Sequence, residues 1–135
     1  MTATDELEFP EKGILWRGWN EETLKIIGEK QMPVLLFIPD QSGLVWPFLR
    51  EIFREMPKNS KLRELLHESF PALFIKADDL PRELKALGAG SDYHIAVLSP
   101  FGLTPLITFN PIRRNAAEVV NDIVTTLERL REAWR

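Results

Sequence analysis

The chain contains no cysteine. That single absence excludes disulfides, thiol catalysis, Cys-ligated zinc and iron–sulfur clusters. Histidine is scarce, with only His67 and His94. Long apolar runs are missing too. The longest, Val34–Leu35–Leu36–Phe37–Ile38, is far short of the roughly 20 residues a membrane-spanning helix needs, so no membrane association is expected. Neither sign of charge dominates: 17 Lys and Arg stand against 20 Asp and Glu, a net charge of −3. Such a balance exerts no general pull on phosphate, and nucleic acid is not an expected partner. The segment Met1–Pro10 is acidic through Asp5, Glu6 and Glu8 and has no apolar stretch after it. A secretory leader needs a positive start and an apolar run, so a cytoplasmic protein is the expectation. No HExxH, DxDxDG, GxxxxGK[ST] or GxSxG motif occurs, and no metal or cofactor is expected.

What is present fits one globular unit. The chain has 135 residues, of which 44% are hydrophobic and 27% charged. That is one domain's length with an ordinary soluble composition, and it can bury a core without disulfides or metal. Residues 1–12 lack periodicity and read as a flexible arm, leaving 13–135 as the domain.

Asn20 before Glu21 and Glu22 reads as a helix start, with acids at the positive end of the helix dipole. Val34–Ile38 reads as a strand buried on both faces. Phe48, Leu49, Ile52, Phe53 and Met56 recur at helical steps from about Pro47. Pro57 stops or kinks that helix, and Ser60 is positioned to cap a second stretch through Leu62, Leu65 and Leu66. Ala72–Ala77 reads as a second strand. Asp79 is placed to cap a helix through Leu84 and Leu87 that Gly88 closes. Ile95–Leu98 and Leu103–Phe109 read as two strands joined by a turn at Pro100–Phe101–Gly102. Asn115–Ala–Ala–Glu118 has capping-box form. A final helix follows, with Val119, Val120, Ile123, Val124, Leu127 and Leu130 on one face and Trp134 extending the stripe. Two βαβ connections and a final antiparallel hairpin predict an α/β, three-layer, thioredoxin-like fold: a mixed four-stranded sheet with helices on both faces.

Ile14–Leu–Trp16, Trp19, the Lys30–Gln–Met–Pro33 step and the strand Val34–Ile38 resemble the opening of the thioredoxin-like domain of the spermatogenesis-associated protein 20 (DUF255) family. Ser42–Gly–Leu–Val–Trp46–Pro47–Phe48 sits where that family carries Cys-x-Trp-Cys. Phe74–Ile–Lys–Ala–Asp78 and Val97–Leu–Ser–Pro100–Phe–Gly102 resemble its second strand and the turn after its third. The resemblance spans roughly 14 to 110. It puts Leu44 and Pro47 in the two cysteine positions, and Tyr93 or His94 where the fold family has a cis-proline. Neither leucine nor proline can form a thiolate or a mixed disulfide, so disulfide exchange is excluded on chemistry.

The remaining candidates carry bland readings beside the functional ones. His67 lies near a helix end, where a cation is welcome, and reads first as structural or solvent-facing. His94 is a candidate ligand or base at the edge of the vestigial site, with Asp92 as its neighbour in sequence. Asp78–Asp79 reads as a strand end and a cap rather than a metal site. Arg113–Arg114 reads as a solvated pair before an anion site. Trp16 and Trp19 read as core or sheet-edge residues. Trp46 stands apart, because a loop after a strand at the carboxyl end of an open sheet is where such folds bind partners. With Tyr93 opposite, it would form an aromatic patch of the type enriched at interaction hot spots. The expected interaction face is therefore Leu44, Val45, Trp46, Pro47, Tyr93 and His94, with no catalytic residue. The expected function is a non-catalytic protein- or peptide-binding adaptor. The alternative is a non-thiol enzyme or small-ligand site built on His94, Asp40, Tyr93 or Asp92.

Overall fold

The computed structural model describes residues 13–112 and 115–134. The arm expected over 1–12 and the Arg113–Arg114 pair lie outside the described residues. The elements run β1 (Trp16–Arg17), α1 (Glu21–Lys30), β2 (Val34–Phe37), α2 (Trp46–Glu55), α3 (Ser60–Glu68), β3 (Ala72–Phe74), α4 (Arg82–Ala86), β4 (Ile95–Leu98), β5 (Pro105–Phe109) and α5 (Ala116–Ala133). The sheet has five strands in the order β1-β3-β2-β4-β5. Strands β1 and β2 flank β3 in parallel, while β4 is antiparallel to both β2 and β5.

Two expectations change here. The sheet has five strands, not four, because Trp16–Arg17 pairs in register with Ala72–Leu73. A strand of that length is too short to show alternation in sequence. The helix between β3 and β4 also does not build a parallel crossover. Helix α4 has only 5 residues, and β4 starts at the sheet end where β3 stops, running back antiparallel beside β2.

The helix starts follow asparagine. Asn20 accepts from Thr23 N–H at 2.8 Å, and Asn115 accepts from Glu118 N–H at 2.9 Å while its amide donates to the Glu118 carboxylate at 2.6 Å. Helix α3 is capped by Asn59, which accepts from Leu62 N–H at 2.9 Å, and Ser60 is the first helical residue rather than the cap. Asp79 caps nothing: it lies in a 3-10 turn, Ala77–Asp79, and α4 starts after Pro81 with no side-chain cap. Pro57 ends α2 within the 3-10 turn Met56–Lys58, as expected of a residue with no backbone N–H.

The sheet separates two apolar clusters. One gathers Leu35, Phe37, Ala72, Phe74, Ile95 and Val97 against α2, α3 and the Val119–Leu127 stripe of α5. The other gathers Val34, Leu36, Ile38, Leu73, Ala96 and Leu98 against Ile27 of α1 and Leu84 of α4. Each buried leucine or isoleucine contributes about 1.5–3 kcal/mol by leaving water. Within the first cluster Trp16, Phe37, Phe53 and Phe74 form an aromatic group with centroids 5.3–6.3 Å apart. Trp16 is thus a core residue at the sheet edge.

Candidate functional site

Strand β2 runs antiparallel to β4, so the loop leaving β2 and the turn entering β4 share one end of the sheet. The Ile38 N–H donates to the His94 carbonyl at 2.8 Å and extends that pairing past the strand ends. This brings Asp40 to His94. The imidazole Nε2 lies 3.4 Å from Asp40 Oδ2, with the side chains 13% and 21% exposed respectively. Ser42 Oγ donates to the other carboxylate oxygen at 3.3 Å, and the Asp40 carbonyl accepts from Gly43 N–H at 3.1 Å. The carboxylate folds over Gly43 so closely that a Cβ there would lie 2.6 Å from Asp40 Oδ2. Glycine is what lets the loop double back on its own aspartate. These contacts orient the ring. Both distances to the carboxylate are long for hydrogen bonds, so they align the imidazole more than they hold it.

Beside the pair lies a cleft of about 500 Å³ lined by Val45, Ser91, Asp92, Tyr93, His94, Thr108, Phe109, Asn110, Pro111, Val119 and Asp122. Asp92 on its rim lies over Gly88, whose φ of +98° follows the end of α4 and whose absent side chain leaves room for that carboxylate, which a Cβ would meet at 2.6 Å. A side chain at Gly88 would be strained as well as crowded.

The expected interaction face divides in two. Val45, Tyr93 and His94 border the cleft. Leu44, Pro47 and Phe48 form an outer apolar surface at the start of α2, with Leu44 97% and Phe48 45% exposed. Trp46 is only partly buried and packs against the first apolar cluster, whereas Tyr93 is buried in the second. The two rings therefore lie with opposite faces of the sheet and do not build a joint aromatic patch. The Tyr93 hydroxyl is buried without a hydrogen-bond partner. Burial raises its pKa above the ordinary 10.0, and the nearby Asp92 carboxylate raises it further.

Sequence reasoning named Asp40 but had no means of pairing it with His94. It missed Thr108, Asn110 and Asp122 in the cleft. Asp122 is half-buried and borders the cleft together with Val119, one turn before it on α5, a position that in sequence reads only as solvated. His67 is exposed on α3, in keeping with its bland reading. Asp78 and Asp79 are exposed. Among the described residues no group of three or more His, Asp or Glu side chains is placed to hold a metal ion, and no helix is long and apolar enough to cross a membrane. No protein-family model matches the chain, and no curated protein sequence matches it.

Proposed function

We propose that the chain is a thioredoxin-like binding module without redox chemistry, which holds an apolar peptide segment at the end of its sheet. The reading is carried by the Leu44–Pro47–Phe48 surface, where Leu44 is 97% exposed. A leucine so fully in water gains nothing for folding, and burying it against a partner is worth about 1.5–3 kcal/mol. Support for the fold reading comes from a mixed sheet with apolar clusters on both faces, and from the loop after β2 lying at the sheet end beside His94. The resemblance puts the redox site on that loop. The test is to pan a peptide library against the immobilised protein and compare the selected peptides on Leu44→Asp and Phe48→Asp. Binding should fall at least about tenfold in both variants. The Leu44→Asp melting temperature should not move, because the side chain touches solvent. Peptides that bind both variants as well as the parent would reject the reading.

One observation favours the second reading, a small-ligand or non-thiol site: the His94–Asp40 pair at 3.4 Å, with His94 bordering the cleft. No nucleophile is hydrogen-bonded to that imidazole among the described contacts, so ligand binding is better supported than catalysis. A thermal-shift screen of small polar compounds separates the two readings. A stabilisation present in the parent and lost in His94→Ala would favour this one.

A further inference from the structure

The cleft beside the His94–Asp40 pair is built for one sign of charge. An ionised carboxylate only accepts hydrogen bonds, so the contact with Asp40 keeps the imidazole proton on Nε2. Nδ1 is then an acceptor, and it has no partner among the described residues. The same cleft is bordered by Asp92 and by the half-buried Asp122 of α5. Among the described residues no Lys or Arg lines it. The stretch from Tyr93 through Ile112, which supplies most of its wall, contains neither residue type.

Val45, Phe109 and Val119 add hydrocarbon to the lining. Acceptors and negative charge beside hydrocarbon suit a side chain with an apolar stem and a cationic head, which is the make-up of lysine and arginine. At about 500 Å³ the cleft is of ligand size. Val45 is also the direct neighbour of Leu44, which is almost wholly in water. The cleft and the outer apolar surface therefore meet at a single peptide bond.

We propose that the peptide held on the Leu44–Pro47–Phe48 surface carries a lysine or arginine close to its apolar anchor and seats that side chain in the cleft. The inference rests on the peptide-binding reading and names the second feature a bound segment must have. Charge complementarity selects the occupant. An acidic segment would bring its own carboxylates against Asp92 and Asp122, the kind of like-charge contact that rejects wrong partners. A purely apolar segment would strip water from those carboxylates without supplying a counter-charge. A basic side chain supplies the charge and covers Val45, Phe109 and Val119 with its stem.

Fluorescence polarisation with short synthetic peptides tests it. The peptides are identical except that lysine, acetyl-lysine or glutamate stands beside a leucine. The full chain should bind the lysine form at least about tenfold more tightly than the glutamate form, with acetyl-lysine between them. The preference should shrink as salt rises. In Asp92→Asn/Asp122→Asn, which keeps the shape and removes both charges, the three forms should bind alike. Asp92 is exposed, so Asp92→Asn alone keeps the fold and should narrow the preference. Glu29→Gln removes an exposed carboxylate of α1 that does not line the cleft, and should leave the preference in place. Lysine and glutamate forms that bind equally, yet still through Leu44, overturn the inference and leave the binding reading standing. A preference that Glu29→Gln removes as fully as Asp92→Asn/Asp122→Asn also overturns it. If no peptide binds through Leu44, both fall together.

Discussion

The indole Nε1 of Trp134 donates to the Gln31 carbonyl at 2.9 Å, across 103 residues of chain. Gln31 ends α1 in the left-handed region, with φ of 52°, and its carbonyl points beyond the helix. The same indole stacks on Phe101 at 6.5 Å. One side chain thereby joins the end of α5, the end of α1 and the turn before β5. Periodicity extends the α5 stripe to Trp134, but the helix stops at Ala133 and the tryptophan serves as its C-terminal cap.

Three helices begin at an asparagine whose side chain accepts the backbone N–H three residues on. Replacing Asn20, Asn59 or Asn115 by alanine should each cost about 1 kcal/mol. The three caps belong to different helices, so the triple variant should lose roughly 3 kcal/mol by addition. Urea unfolding of the three single variants and the triple variant measures this. A cost confined to one site would show that the other two caps are dispensable.

Tyr93 is the chain's single tyrosine, so the ultraviolet phenolate signal reports this residue alone. Its midpoint in the folded protein should lie above 10.0, because burial and then Asp92 disfavour the phenolate. The sign follows from linkage. Below that ordinary value both folded and unfolded chains keep the proton, and this group contributes no pH dependence. Above it the unfolded chain ionises first, and stability falls until the folded phenol ionises too. Tyr93→Phe should abolish that alkaline slope. Since the hydroxyl has no partner, the change should leave stability at neutral pH equal or higher.

Ile123 is fully buried on the face of α5 that packs into the first cluster. Ile123→Asp should cost at least about 3 kcal/mol by placing an unpaired carboxylate there. The melting temperature should drop by roughly 10 °C. An unchanged melting curve would mean that α5 does not cover the sheet.

The parts of the fold that were legible share a cause. Strand β2 shows as a continuous apolar run because it is buried on both faces, and α5 shows because its stripe and its cap agree with each other. Strand β1 did not show, because two residues carry no pattern and only the register with Ala72 makes them a strand. Sequence does not separate Asn59 from Ser60 as the cap, because both are good capping residues and only backbone angles distinguish them. The His94–Asp40 pair spans 54 positions and depends on where β4 reverses beside β2, which no local pattern encodes. Trp46 and Tyr93 were expected to face each other, since both lie at one end of the sheet. Trp46 begins α2 and packs against the first cluster, while the turn before β4 carries Tyr93 into the second.

Strand β2 sits at the centre of the sheet and, with Ile38 just after it, divides its side chains between the layers, with Leu35 and Phe37 on one side and Val34, Leu36 and Ile38 on the other. A fluctuation that frees this strand opens both layers at once, so neither helical face can melt while the other stays intact. The protein has two cores in geometry and one in cooperativity. Damage to either layer is felt in both through five consecutive residues.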